Sequence, residues 1–430
     1  MLKNLFINEF EKINLKVGNI SFLTGTFLLP SAFPIGALLL LIALIISFKE
    51  NRYYFFKDRW NYSIYICILI IFLSTLKNGL IDVPNELVDY NKTLIWINLF
   101  NWIPILLGYI GFQTYLKNLY QRVLFTKFLI LGSLPVIFSC ILQYTFKIYG
   151  PFETFYGLII WFQKPISINS GVSGLFNNAN YLSIWLSIVI PFIFYFIKNE
   201  VKNFKKISLI LVCLTFSFFA ISTKSRNGFF SLIFTILSFY SIKNIFYTFT
   251  TFSLFGILSN YLLNLRNINL NFFNVILKEK VLNKLLFFSP RLLIWESAIE
   301  LIKNRPLFGW GASTFPFVND ISYYSAKYQH THNIFLELAF NFGIPLSIII
   351  FISLLFLFTK VIKNNLKFRN KIHTLHTKSW LVSSLIVLFF HFSDINLYDG
   401  KIGLIISILI SGLRCILNEQ ESYKKEIIYN

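Results

Sequence analysis

The chain has 430 residues, of which 56% are hydrophobic and only 13% are charged, whereas a typical soluble domain carries about 25% charged residues. Its apolar residues form many runs close to the roughly 20 residues that a helix needs to cross a bilayer, which excludes a soluble globular protein. The net charge of +20 would suggest a nucleic-acid partner for a soluble domain. Here most basic residues lie between apolar runs, so we expect no nucleic acid.

Apolar runs in chain order predict about 12 transmembrane helices. They lie near residues 20–32, 34–48, 62–76, 93–115, 123–146, 179–197, 207–222, 228–242, 245–263, 334–359, 379–392 and 402–417. Pro30 and Pro34 break the first pair into a tight hairpin or a re-entrant pair. The cysteines have no CxxC pair and are interpreted as small core residues; they are Cys67, Cys140, Cys213 and Cys415. The predicted fold class is an all-α polytopic membrane protein.

The lysines and arginines between these runs predict the orientation, because cytoplasmic loops of membrane proteins are enriched in them. With the N-terminus in the cytoplasm and alternating helices, the cytoplasmic segments hold 24 of the 39 basic residues. Of the 15 external basic residues, 8 lie in one long loop over 264–333. Both termini are therefore predicted to be cytoplasmic.

The long external loop spans about 70 residues, far more than a simple connection needs. We therefore expect a single membrane domain in three parts. Transmembrane helices 1–9 occupy residues 1–263, the large loop with amphipathic helices occupies 264–333, and helices 10–12 with a cytoplasmic tail occupy 334–430.

The loop is predicted to be structured. Residues 274–288 are predicted to be helical, and Ser289 followed by Pro290 is typical of a new helix start. The next helix is predicted from Arg291 to about Arg305. Its apolar residues recur at helical spacing; they are Leu292, Trp295, Ile299 and Ile302. A tight turn at 308–311 follows, and His330-Thr331-His332-Asn333 leads into the next membrane run.

Arg226 lies in the short turn Thr223-Lys224-Ser225-Arg226-Asn227-Gly228 between two membrane runs, on the predicted external side. An arginine at this place is often only an interfacial anchor. The neighbouring Lys224 and the two hydroxyls favour an anion site instead, because a guanidinium binds phosphate oxygens in a bidentate manner. Both interpretations stay open on charge and position alone.

Arg291 begins the amphipathic loop helix, where a cation is electrostatically disfavoured. It is either a solvated helix end or one part of a site in which a bound anion resolves the conflict with the helix dipole.

His332 is either a polar cap or a proton acceptor, since an imidazole can act as a base at neutral pH. His330 is two residues away, but no further metal ligand is near in sequence, so we predict no metal.

Familiar catalytic signatures are missing from the sequence. It has no Walker A, GxSxG, HExxH or D-x-D pattern, so neither a nucleotide nor a metal-held nucleotide sugar is indicated. Acidic residues are scarce in the membrane runs, with Glu337 and Asp394 at their edges. This scarcity disfavours a proton-coupled transporter, which usually buries such groups in its helices.

Several motifs together resemble those of the O-antigen ligase/O-antigen polymerase superfamily. They are Gly174-Leu-Phe-Asn177-Asn-Ala-Asn180, Ser225-Arg226-Asn227-Gly228, Arg291-Leu-Leu-Ile-Trp295-Glu-Ser-Ala298, Pro306-Leu-Phe-Gly309-Trp-Gly311, His332-Asn333-Ile-Phe-Leu336 and Gly343-Ile344. Their order and spacing over about 174–345 carry the resemblance. Outside these residues the chain is similar to the family only in having about 12 helices and one large external, periplasmic loop.

The resemblance implies a membrane glycosyltransferase of the bacterial inner membrane, with its active site facing the periplasm. Members transfer a glycan from a polyprenyl diphosphate carrier to an acceptor, without metal, nucleotide or other cofactor. The acceptor is a lipid A core sugar for a ligase and another lipid-linked repeat unit for a polymerase; whether a chain-length regulator takes part stays open. By resemblance, Arg226 and Arg291 bind the diphosphate and His332 is the catalytic base of an inverting displacement. Further substrate-binding candidates are Lys224, Asn177, Asn180 and Asn333.

His330 is a departure from the family pattern, and its role is open. The alternative function class is a membrane transporter or flippase of an anionic solute or a lipid-linked glycan. A basic outer cavity would suit that class too, but a transporter has no need of His332. A structural role in an export complex would tolerate loss of all three candidate residues.

Overall fold

A computed structural model of the chain describes residues 17–81, 92–167, 170–239, 290–319, 322–323, 326–367 and 371–429. Helices dominate these residues, as the sequence predicts. In chain order they are α1 Val17–Leu28, α2 Phe33–Lys57, α3 Trp60–Leu76, α4 Thr93–Ile97, α5 Leu99–Gly111, α6 Leu119–Gly132, α7 Leu134–Thr145, α8 Ala179–Asn199, α9 Asn203–Ser222, α10 Arg226–Phe239, α11 Pro290–Asn304, α12 Phe315–Val318, α13 Ile334–Phe342, α14 Ile344–Lys367, α15 Lys371–His391 and α16 Gly400–Tyr429.

Short irregular elements accompany these helices. One antiparallel hairpin pairs β1 Phe152–Thr154 with β2 Ile159–Trp161, and a second pairs β3 Ser322–Tyr323 with β4 Ala326–Lys327. A 3-10 turn at Asn396–Tyr398 precedes α16.

Eight helical segments of the described residues are long and apolar enough to cross a membrane. They are Phe33–Asn51, Trp60–Leu80, Thr93–Tyr115, Leu119–Thr145, Ala179–Asn199, Asn203–Ser222, Ile344–Asn365 and Gly400–Tyr423. Two more apolar helices, α1 and α10, are shorter. The class of multi-pass all-α membrane protein is confirmed, whereas the count of 12 is not supported. The predicted run at 245–263, the predicted helix at 274–288 and the Ser289 cap lie outside the described residues.

The central helices of the bundle are α16 and α8. In the most apolar stretch of each, 83% and 72% of the residues are buried, against 22% in both α9 and α14. An apolar helix that leaves most of its side chains uncovered faces lipid rather than protein. Among the described helices α9 and α14 are therefore peripheral, whereas α8 and α16 are central. All four cysteines are buried and free.

The run predicted as one membrane helix over 334–359 is two helices in the structure. Gly343 has φ +98°, a left-handed conformation that interrupts the helical ladder between α13 and α14. A Cβ atom at this position would lie 2.1 Å from the carbonyl oxygen of Leu307. The break therefore lets the chain before residue 311 pack directly against the end of α13.

Buried ion pairs hold the C-terminal half of α16. Arg414 donates to both carboxylate oxygens of Asp58, at 3.0 and 2.9 Å, and Arg122 of α6 binds Glu419. Arg414 is 4% exposed and Arg122 is 1% exposed, and an unpaired charge at such depth would be strongly destabilising. These pairs fix α16 against α6 and against the connection between α2 and α3.

Candidate functional site

The short connection between α15 and α16 is the centre of the candidate site. Asp394 lies in it, and the carboxylate accepts hydrogen bonds on both oxygens. His332 Nδ1 is 3.0 Å from Oδ1, and the Asn180 amide donates to Oδ2 at 3.1 Å. Asp394 thus joins the segment that enters α8 to the segment that enters α13.

Two more hydrogen bonds reach the residues just before Asp394. Asn227 donates to the hydroxyl of Ser393 at 2.7 Å, and Asn333 donates to the carbonyl oxygen of Phe392 at 3.1 Å. Three of the motifs that carry the family resemblance therefore meet at residues 392–394.

The charge state of Asp394 follows from its surroundings. Burial raises the pKa of this carboxyl, but contacts with His330 and His332 outweigh burial and hold the pKa well below its ordinary value. Asp394 is therefore ionised at neutral pH, and an ionised carboxylate only accepts hydrogen bonds. His332 therefore donates through Nδ1, and in the neutral imidazole the lone pair is then on Nε2.

His332 itself is held in an unusual backbone conformation. Its φ is +54°, in the left-handed region that non-glycine residues seldom adopt. The side chain is 22% exposed. Such a conformation persists only where the neighbours fix it, and it is often found at functional sites.

Glu337, in the first turn of α13, helps to fix the backbone conformation at His332. One of its oxygens accepts the backbone N–H of Thr331 at 3.0 Å, and the other accepts the hydroxyl of Tyr398 and the amide of Asn341. Glu337 is 2% exposed. Burial, and secondarily the nearby Glu337, raise the pKa of Tyr398, so that its hydroxyl remains a donor.

Replacing Glu337 with Gln is expected to destabilise the protein by about 1–3 kcal/mol, because a glutamine amide accepts at only one oxygen and leaves a buried donor unpaired. The midpoint of thermal unfolding, measured in lipid nanodiscs, is expected to fall relative to wild type. Glu300→Gln is the matched control, because Glu300 is exposed on α11. Equal midpoints for the two variants would contradict a fixing role for Glu337.

Arg291 is the second residue of α11 and is partly buried. The sequence predicted this helix, but its buried face differs from the predicted one. Ile294, Ala298 and Ile302 pack into a cluster with Phe340 of α13, whereas Ile299 is 45% exposed. This cluster fixes the helix that carries Arg291 against the helix that His332 precedes.

The segment after α11 strengthens the same attachment. The backbone N–H of Trp310 donates to the Phe340 carbonyl at 2.8 Å, and that of Gly311 donates to the Asn341 carbonyl at 3.0 Å. Gly309 has φ +62°, and a Cβ atom there would lie 2.3 Å from the Phe340 oxygen. The glycines of the predicted turn are therefore needed for backbone-to-backbone packing on α13.

The pKa of Arg291 is influenced by the charges around it. Burial lowers the pKa of Arg291, Asp394 raises it, and Arg226 lowers it. Arg226 is exposed and is the first residue of α10, so both arginines stand at helix N-termini. Free backbone N–H groups and guanidinium groups at one place favour an anion.

The remaining predicted residues have different surroundings. Lys224 has φ +58° and donates to the Ser167 carbonyl at 2.9 Å, and Asn177 is exposed. Asn333 caps α13 by accepting the backbone N–H groups of Phe335 and Leu336, so its amide already has structural partners. Asn180 is bound to Asp394.

Sequence reasoning missed the roles of Asp394 and Glu337 and noted them only as acids at the edges of membrane runs. Their signal was their rarity, since an ionisable residue near membrane depth usually has a partner and a function. Sequence reasoning also found no third metal ligand near His330 and His332. In the structure one ring nitrogen of His330, one ring nitrogen of His332 and a carboxylate oxygen of Asp394 lie within 4.8 Å of one another.

The fold and this site define a multi-pass membrane protein with a basic, histidine-containing site at one end of its helices. Residues 182–351 match a family described as O-antigen ligase, which confirms the resemblance to the O-antigen ligase/polymerase superfamily over this part of the chain. The match includes Arg226, Arg291 and His332, whereas Asn177, Asn180 and Asp394 lie outside it. No curated protein matches the sequence.

Proposed function

We propose that the protein transfers a glycan from a polyprenyl diphosphate carrier to the hydroxyl of an acceptor, on the periplasmic face of a bacterial inner membrane. The observation that carries the proposal is the hydrogen bond between His332 and the ionised Asp394, with Arg226 close enough to lower the pKa of Arg291. A proton acceptor beside two anion-binding groups suits transfer from a diphosphate leaving group.

His332 is the proposed base. Its free Nε2 takes the proton from the acceptor hydroxyl while the acceptor oxygen forms a bond to the anomeric carbon. The bond between that carbon and the diphosphate oxygen breaks on the opposite face of the sugar, so the configuration inverts. Asp394 keeps the imidazole in the required tautomer and stabilises the imidazolium that forms.

Arg291 and Arg226 are the proposed binders of the diphosphate. Negative charge builds up on the leaving diphosphate as the carbon–oxygen bond breaks, and fixed cations stabilise it. Each arginine lies at a helix N-terminus, where backbone N–H groups also favour an anion. Lys224 adds a point charge, and Asn177, Asn180 and Asn333 are proposed to contact the glycan or to hold these segments in place. No metal or other cofactor has a part in this chemistry.

An apolar cavity beside the site supports a lipid-linked donor. It has a volume of about 150 Å³ and is lined almost entirely by apolar side chains. Among them are Ile334 and Phe335, which follow His332 and Asn333 in the chain. The first isoprene units of the carrier are proposed to lie there, with the diphosphate towards Arg291. The same end of the bundle then faces the periplasm, in agreement with the predicted cytoplasmic location of both termini.

The full chain in lipid nanodiscs, given a polyprenyl-diphosphate-linked glycan, tests this function. Release of polyprenyl diphosphate together with glycan attached to a lipid A core acceptor would identify a ligase. A ladder of repeat units without that acceptor would identify a polymerase, and adding a chain-length regulator would then narrow the ladder. Movement of an intact lipid-linked glycan across proteoliposomes, with no release, would favour the transporter or flippase.

Asp394→Asn is expected to lower kcat of glycan transfer by about 10²-fold, since the neutral amide can present its N–H to the histidine and favour the wrong tautomer. The KM for the donor is expected to change little, because Asp394 does not bind it. Asp399→Asn, in the same connection and without a histidine contact among the described hydrogen bonds, is the matched control. A similar loss in both variants would point to a structural effect.

A further inference from the structure

His330 lies beside His332 and Asp394 but has no role in the proposed reaction. Its Nε2 atom is buried and has no hydrogen-bond partner among the described residues. The Oδ1 atom of Asp394 is 3.7 Å away, beyond hydrogen-bond distance. A buried nitrogen without a partner calls for an explanation, and a bound ion is one of the usual ones.

The positions around this nitrogen suit a metal ion. His330 Nε2 and His332 Nδ1 lie 3.7 and 3.0 Å from the same carboxylate oxygen of Asp394. One ring nitrogen of each histidine and a carboxylate oxygen of Asp394 lie within 4.8 Å of one another. Ligand atoms at about 2.1 Å from a tetrahedral zinc ion are about 3.4 Å apart. Small rotations of the two imidazoles therefore bring the three atoms onto one ion.

We propose that His330, His332 and Asp394 form a site for a divalent transition-metal ion of the zinc type, and that the bound ion switches the transferase off. Two imidazoles and one carboxylate suit zinc, cobalt or nickel, whereas magnesium and calcium prefer oxygen ligands alone. Arg291 and Arg226 oppose a dication, and the Asp394 carboxylate offsets part of that charge.

Inhibition follows from the tautomer of His332, and this part rests on the proposed function. Without the ion, Nδ1 carries the hydrogen and donates to Asp394, and the Nε2 lone pair can take a proton. With the ion on Nδ1, the hydrogen of the neutral ring moves to Nε2. The acceptor hydroxyl then meets a donor instead of a base.

Cobalt binding tests the site without any substrate. Wild type in nanodiscs is expected to give visible Co²⁺ absorption bands that saturate at one ion per chain and that zinc removes. His330→Asn and Asp394→Asn are expected to abolish the bands. His373→Asn, which changes a histidine at the start of α15 far from residues 392–394 in the chain, is the matched control and is expected to keep them.

A gain of signal guards against variants that merely fail to fold. His330→Cys keeps a ligand at the position and is expected to add a near-ultraviolet cobalt–thiolate band, which the four buried native cysteines do not provide. Absence of wild-type bands, or bands unchanged in His330→Asn, would overturn the metal site. So would a His330→Cys protein that binds cobalt without the thiolate band.

Zinc in the transfer assay tests the inhibition. Wild-type transfer is expected to fall at least 10-fold at saturating zinc, and the same zinc is expected to leave the rate of His330→Asn within 2-fold. A wild type that binds cobalt but transfers no glycan would contradict the proposed function and leave the metal site standing. A wild type that transfers glycan but does not bind cobalt would contradict the metal site and leave the proposed function standing.

Discussion

His332→Ala is expected to lower kcat of glycan transfer by about 10²–10⁴-fold, the range that a positioned general base contributes. Two observations support this size of effect. The Asp394 carboxylate fixes the tautomer that leaves Nε2 free, and the left-handed backbone at His332 is held by the hydrogen bond from Thr331 to Glu337. Release of polyprenyl diphosphate in single-turnover mixtures measures the chemical step directly.

The left-handed backbone at residue 332 limits which substitutions are suitable for this experiment. Alanine tolerates φ +54° poorly, whereas asparagine adopts left-handed conformations more readily. His332→Asn is therefore the second variant, with His373→Ala as the matched control outside the site. Wild-type rates of glycan transfer in a well-folded His332→Asn protein would show that the histidine is not the base.

Arg291→Ala is expected to lower kcat/KM for the lipid-linked donor by about 10²–10³-fold, as for other groups that stabilise charge developing in a transition state. The helix that carries Arg291 is held by the packing of α11 on α13, which positions this residue for the diphosphate. Arg291→Lys keeps the charge but loses bidentate binding, and we expect it to recover only part of the activity.

The matched control for Arg291 lies on the same helix. Lys303→Ala removes an exposed cation near the end of α11 and is expected to leave kcat/KM unchanged. Polyprenyl diphosphate added as a product inhibitor separates binding from catalysis, since it is expected to bind Arg291→Ala more weakly than wild type. Equal inhibition of both proteins would remove Arg291 from the diphosphate site.

Local properties of the sequence determined the protein class. Hydropathy over about 20 residues is sufficient to recognise a membrane span, and it correctly predicted most helices of the bundle. The count of 12 was less secure, because a local pattern cannot exclude a break such as the one at Gly343. That break depends on φ +98° and on the close approach of Leu307, which are both tertiary facts.

The same distinction applies to the site. Arg226, Arg291 and His332 belong to short motifs, and their charge, titration range and place between apolar runs were visible in the sequence by itself. The partner of His332 was not, because Asp394 is 62 positions further along the chain, and its contact with Asn180 bridges 214 positions. Only folding brings α8, α13 and the connection before α16 together. Packing therefore decided which acid fixes the histidine, which glycines let α11 attach to α13, and why His330 has a carboxylate within reach.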